Sequence, residues 1–91
     1  MNILIADKFE KSGIQQLQAM GLKVVNLPEV GEAGLPAALT EHRPDVLIVR
    51  STKVRAAAFE VAKSVSLVIR AGAGYDNIDV AAASARGISV A

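Results

Sequence analysis

Residues 45–53 read Asp-Val-Leu-Ile-Val-Arg-Ser-Thr-Lys, and this stretch decides the fold. Val46 to Val49 are branched aliphatics in an unbroken row. A strand with one wet face alternates apolar and polar residues, whereas a strand covered on both faces, as in a parallel sheet between helices, reads as a continuous apolar run. Polar residues begin abruptly at Arg50, so the strand ends there and a charged, hydroxyl-bearing loop leaves its carboxyl end.

Similar short runs lie on either side: Ile3-Leu4-Ile5, Val24-Val25, Leu67-Val68-Ile69 and, more weakly, Ile88-Ser89-Val90. Helical segments separate them. Ser12 and Gln15 have the spacing of a capping box, with Ser12 as N-cap, and Ile14, Leu17 and Met20 follow at helical spacing before Gly21 stops the helix. A second helix is expected to start near Pro36, a residue suited to a first turn, and to stop before Pro44. A third runs from Ala56 to about Lys63, and a fourth opens at Asp79 as N-cap and ends at Gly87.

Strict β-α alternation predicts an α/β, doubly wound, five-stranded parallel sheet, for which 2-1-3-4-5 is a common order. Right-handed crossovers then place the first helix on one face and the next three on the other. Four helices for five strands leave the final covering helix missing, so an apolar strip beside the first helix is expected to lack a cover and to seek a partner.

Composition narrows the function. At 91 residues the chain is one small domain, which buries roughly 60–65% of its unfolded surface. The apolar share is 52%, yet Phe9, Phe59 and Tyr75 are its only aromatics, a core suited to a β-branched sheet under Ala/Leu helices. Cysteine is absent, which rules out disulfides and thiolate metal sites and fits a reducing, cytoplasmic setting. The apolar runs are too short to span a membrane, and Met1 to Ile5 does not have the form of a signal peptide. Residues 1–45 hold four basic and six acidic side chains and residues 46–91 hold six and three, so the halves carry −2 and +3. A basic zone this small suits an anionic small molecule, not nucleic acid, which needs a broad stripe.

Ligands of open α/β sheets sit beyond the carboxyl ends of the strands. After the first strand come Ala6-Asp7-Lys8, read as a polar loop before a helix. After the third come Arg50, Ser51, Thr52 and Lys53, whose hydroxyls and cations suit a carboxylate or phosphate; Thr52 serves equally as a cap for the third helix. After the fourth come Arg70-Ala71-Gly72-Ala73-Gly74-Tyr75-Asp76-Asn77, where glycines admit a ligand to backbone N–H groups and Arg70 supplies a planar donor fork. Asp76, Asn77 and Asp79 read as turn and cap residues. Gly72-Ala73-Gly74 is not a dinucleotide fingerprint: it follows a fourth strand, and Asn77 stands where the third glycine belongs. His42, the single histidine, lies near a helix end before Arg43-Pro44, with no acid or nucleophile placed to work with it in catalysis, and is read as a helix-end cation or surface residue.

The segments Ile3 to Phe9, Asp45 to Val54, Arg70 to Asp79 and Ala82 to Ile88 together resemble the N-terminal substrate domain of NAD-dependent D-2-hydroxyacid dehydrogenases, above all the D-3-phosphoglycerate dehydrogenases. The resemblance implies a flavodoxin-like fold and a cytoplasmic homodimeric oxidoreductase of serine biosynthesis. It implies that Arg50 and Arg70 face the anionic groups of a small substrate, that backbone N–H groups at Ala73 and Gly74 bind its carboxylate, and that Ser51 and Thr52 line the same pocket. The family's NAD fingerprint, catalytic histidine with its acid, catalytic arginine and returning helix have no counterpart in the 91 residues. The expectation is therefore a single truncated substrate-binding domain over residues 1–91, with the cofactor-binding domain absent, no catalytic, cofactor-binding or metal residues, and no activity by itself.

A different class of function competes with this one: a stand-alone module that self-associates through the uncovered sheet face. A phospho-receiver domain of the same fold needs an aspartate after the third strand, where Arg50 and Ser51 stand. A flavin site needs a hydroxyl- and glycine-rich loop after the first strand, where Asp7-Lys8-Phe9-Glu10 stands.

Overall fold

The computed structural model describes residues 1–72 and 76–91. Strands β1 (Asn2–Ile5), β2 (Lys23–Asn26), β3 (Val46–Val49), β4 (Leu67–Arg70) and β5 (Ser89–Val90) alternate with helices α1 (Lys11–Ala19), α2 (Gly31–His42), α3 (Ala56–Val61) and α4 (Val80–Ala85). The strands form one sheet in the order β2-β1-β3-β4-β5, with every pairing parallel. This is the architecture expected from the unbroken aliphatic runs.

The two faces separate by residue parity, because successive strand side chains point to opposite sides. Leu4, Leu47, Val49 and Val68 face the larger core, with Leu35, Ala38 and Leu39 of α2, Ala58 and Phe59 of α3, and Ala83 of α4. Ile3, Ile5, Val46 and Ile48 face the other way, onto Phe9 and onto Ile14 and Leu17 of α1. One helix thus lies on one face and three on the other, as right-handed crossovers require. Beyond α1, Leu67, Ile69 and Ala71 are only half-buried. The strip expected to lack a cover is largely covered, since Val46 and Ile48 are buried and Leu67, Ile69 and Ala71 are partly so.

Local rules explain most helix ends. After α1, Leu22 N–H donates to the Leu17 carbonyl at 3.3 Å and Gly21 N–H to that of Gln18 at 3.0 Å, with Gly21 at φ +86°. After α4, the same paired bonds run from Ile88 to Ala83 and from Gly87 to Ser84, with Gly87 at φ +70°. Both are Schellman closures, which satisfy carbonyls that the last turn leaves open. The Asp79 carboxylate accepts the Ala82 N–H at 3.0 Å and caps α4 as expected.

Three boundaries differ from the sequence reading. Ser12 is not the N-cap of α1; the helix begins at Lys11, and Glu10 occupies the cap position without a side-chain bond. Apolar packing sets this start. Phe9 and Ile14 bracket the first turn and pack on the same cluster, the placement of a hydrophobic staple, and the Phe9 ring lies over Gly13. Helix α2 begins at Gly31, not near Pro36, which is inside it. Leu35, Ala38 and Leu39 must all reach the core, and that burial outweighs the one hydrogen bond a proline removes. Helix α3 ends at Val61 and not at Lys63. His42 is the last residue of α2, its Nε2 3.4 Å from Glu41.

Candidate functional site

The carboxyl ends of β1, β3 and β4 lie side by side at the centre of the sheet, where β1 sits between β2 and β3 and the winding direction reverses. The loops that leave them enclose an open cleft of about 520 Å³, lined by Asp7, Lys8, Pro28, Arg50, Ser51, Arg70, Ala71 and Gly72. Of the expected site residues, Arg50, Ser51 and Arg70 line it. Ala73 and Gly74 lie outside the described residues.

Thr52 is a correction. It is not among the lining residues, and it does not cap α3, whose N-cap position is held by Arg55. Its hydroxyl donates to the Ala6 carbonyl at 2.9 Å and its N–H to Asp7 at 3.0 Å. Parallel pairing brings the end of β1 against the start of this loop, so Thr52 fastens the loop from behind. Lys53 also leaves the group it was placed with: it lines a separate hollow with Glu32, Pro36 and Arg55.

Asp7 does more than fill a polar loop. Its Oδ2 accepts the backbone N–H of Arg50 at 2.7 Å, of Ser51 at 3.1 Å and of Thr52 at 3.0 Å. Burial pushes the carboxyl pKa up, but hydrogen bonds from this loop outweigh it and hold Asp7 below its ordinary value. The single Thr52 hydroxyl proton is committed to Ala6, so the backbone amides carry the effect. Asp7 thereby fixes the loop bearing Arg50 and Ser51, while Asn26 Nδ2 steadies Asp7 from β2 through its carbonyl at 2.9 Å. No local signal could show this, because Asp7 and Arg50 are 43 residues apart and meet only through sheet order.

The β4–α4 loop is tied to the β3–α3 loop by Asn77. Its Nδ2 donates to the Thr52 carbonyl at 2.8 Å, its Oδ1 accepts from Arg70 Nε at 3.1 Å, and its carbonyl accepts the Val54 N–H at 2.8 Å. Arg70 also lies across Gly72, where any Cβ would run into Nη1. The guanidinium thus occupies the space beside Gly72.

The cleft therefore presents three cations, Lys8, Arg50 and Arg70, against one carboxylate already engaged by three N–H groups. That arrangement suits an anionic small molecule. A second hollow of about 380 Å³ shares Arg50 and Ala71 and continues toward Phe9, Ser12 and Gln16 of the α1 side. His42 lies far from the cleft: α2 runs from the carboxyl end of β2 back to the amino end of β3 and delivers its last residue to the opposite end of the sheet. No group of three or more potential metal ligands occurs among the described residues, and no helix there is long and apolar enough to cross a membrane.

The family described as D-isomer specific 2-hydroxyacid dehydrogenase, catalytic domain, matches residues 3–91. The chain belongs to this family. It is 34% identical over 91 residues to the D-3-phosphoglycerate dehydrogenase of Archaeoglobus fulgidus, covering 99% of this chain and 17% of that protein. It is 41% identical over 90 residues to the D-3-phosphoglycerate dehydrogenase of Mycobacterium leprae, covering 97% and 16%. The solved structure of the NAD⁺-bound 3-phosphoglycerate dehydrogenase of Entamoeba histolytica superposes with a TM-score of 0.82 at 26% identity, over 99% of this chain and 32% of that one. The chain thus spans about a sixth of the length of these curated relatives, 17% and 16%. Membership agrees with the resemblance carried by the segments around Arg50 and Arg70, and places the cationic cleft within a dehydrogenase family.

Proposed function

We propose that this chain forms the substrate-binding side of an NAD-dependent D-2-hydroxyacid dehydrogenase acting on D-3-phosphoglycerate. The observation that carries the reading is the convergence of Lys8, Arg50 and Arg70 on one cleft at the switch point of the sheet. A substrate with a carboxylate and a phosphate needs separated cations, and Arg50 and Arg70 come from different loops. Ser51 contributes a hydroxyl at the same rim, its backbone N–H being held by Asp7, and backbone N–H groups at Ala73 and Gly74 bind the carboxylate. The named activity of the relatives supports the substrate class.

In this reading the chain's own residues bind and orient. Hydride transfer requires a nicotinamide, which supplies the hydride acceptor, and an acid–base residue near the reacting carbon. The described lining residues include no histidine, and Asp7 is held as a carboxylate by the loop it anchors. The 91-residue polypeptide by itself is accordingly a binding domain without dehydrogenase activity.

Titration of D-3-phosphoglycerate into the ¹⁵N-labelled chain tests this. Amide shifts at Arg50, Ser51 and Gly72 are expected at millimolar ligand, with affinity falling about tenfold in Arg50→Ala and in Arg70→Ala. Shifts confined to other regions, or none, refute the binding assignment, and NAD-dependent turnover by the chain refutes the assignment of chemistry elsewhere.

A second reading is favoured by one feature. Leu67, Ile69 and Ala71 are incompletely covered on the α1 face, so the chain self-associates there as a homo-oligomer. Sedimentation equilibrium checks it: a monomer at high concentration that binds no apolar dye removes the reading.

A further inference from the structure

We propose that Asn77 is a positioning residue that aims the Arg70 guanidinium into the cleft while leaving its charge unneutralised, so that the full cation is presented to an anionic ligand. The inference rests on the reading of the cleft as an anion site.

The geometry uses both halves of the Asn77 amide. Oδ1 accepts from Arg70 Nε at 3.1 Å, and Nδ2 donates to the Thr52 carbonyl at 2.8 Å. A planar amide presents one acceptor and one donor at this spacing, which an ionised carboxylate of the same shape cannot. Turning it over would set two donors against each other at Arg70 and two acceptors against each other at Thr52, so the orientation is fixed by its surroundings. The residue's backbone is fixed as well, through Val54 N–H at 2.8 Å and the Val54–Ile78 bridge. Asn77 is therefore a rigid strut between the two loops that carry Arg50 and Arg70.

Holding Arg70 by Nε has a consequence. The guanidinium carries five donors, and the Nε–H is the one nearest the stem. Fixing it sets the plane of the fork, and Nη1 then lies over Gly72 at the cleft wall. A carboxylate at position 77 would hold the same Nε–H more tightly. It would also pair with Arg70, place a negative charge beside the ligand, and face the Thr52 carbonyl with a second acceptor. The neutral amide avoids all three effects.

This separates Asn77 from a plain structural residue, because orientation and charge respond differently to substitution. The test uses sulfate as probe with the ¹⁵N-labelled wild-type chain, Asn77→Asp and Asn77→Ala. Two quantities are read: the Arg70 Nε–H resonance and its exchange rate, and the sulfate dissociation constant from the amides of Ser51 and Gly72. Asn77→Ala should expose the Arg70 Nε–H to fast exchange and weaken sulfate a few-fold through lost orientation. Asn77→Asp should keep the Nε–H protected yet weaken sulfate about tenfold or more, because the added charge opposes the anion. The near-isosteric Asn77→Asp carries the test alone if Asn77→Ala fails to fold.

A merely structural residue predicts that in Asn77→Asp protection and affinity fall together, or that Asn77→Asp binds sulfate like the wild type; either result overturns the proposal. Wild-type chain that binds no sulfate at Ser51 and Gly72 overturns the anion site as well, which separates failure of the underlying reading from failure of the role of Asn77.

Discussion

Replacement of Asp7 probes the anchor on which the cleft depends. One carboxylate oxygen collects three backbone N–H groups, at 2.7, 3.1 and 3.0 Å. A net hydrogen bond to a charged group is worth about 1.5–3 kcal/mol, which would sum to far more than one partly buried residue delivers. The Arg50 and Ser51 donors are at exposed positions, where water substitutes for the lost oxygen, and only the Thr52 donor is part-buried. We therefore expect Asp7→Ala to cost about 2–3 kcal/mol, one charged bond in full and the others in part. Asp7→Asn keeps an acceptor and loses the charge, for about 1–1.5 kcal/mol. At about 4–8 °C per kcal/mol for a domain of this size, the midpoint falls roughly 10–20 °C for alanine and roughly 5–10 °C for asparagine.

Thermal and urea unfolding followed by circular dichroism measure both, and pH distinguishes the cause. The Asp7 carboxyl titrates below 3.8 in the folded chain, so the unfolded state binds more protons in that range and stability rises with pH there. The ionic contribution is complete above that value and is lost as pH falls through the lowered folded value. The gap between wild type and Asp7→Asn should be full at pH 7 and close on acidification below 3.8. A gap of the same size at both pH values, or no gap at pH 7, would refute the anchoring argument.

Other substitutions test the remaining supports. Asp79→Ala should remove the cap on the Ala82 N–H and lower stability by about 1 kcal/mol in urea unfolding, with little change in the m-value. Gly87→Ala meets no atom within 4 Å but must adopt φ +70°, so it should cost about 1–2 kcal/mol by the same measurement, a strain that asparagine at that position would largely relieve. Phe59→Ala, at 2% exposure in the larger core, should cost about 3–5 kcal/mol and leave a molecule that binds apolar dye at 37 °C. A Phe59→Ala chain with an unchanged midpoint would mean that the core under α3 is not shared among the three helices.

Much of the fold is legible in the chain. Val46 to Val49, Ile3 to Ile5 and Leu67 to Ile69 read as doubly covered strands because each is an uninterrupted aliphatic run, and parallel strands result. Gly21, Gly87 and Asp79 act where expected because capping is local: a backbone angle or an oxygen three residues away decides it. Arg50, Ser51 and Arg70 are visible in sequence as residues of the cleft rim because they follow strand ends directly, where an open α/β sheet displays its ligands.

Tertiary structure decided the rest. The start of α1 at Lys11 and of α2 at Gly31 depends on where Phe9, Leu35, Ala38 and Leu39 find apolar partners, and that burial outweighs the capping pattern of Ser12 and the preference of Pro36. Thr52 leaves the pocket for the Ala6 carbonyl, Asp7 becomes the anchor of a loop 43 residues away, and Asn77 becomes a strut to Arg70 and Thr52. Strand ends and helix stops are set by neighbours in sequence. These polar contacts join loops that become neighbours only when β1, β3 and β4 pair, so the sheet order must exist before a hydrogen-bonding side chain can find its partner.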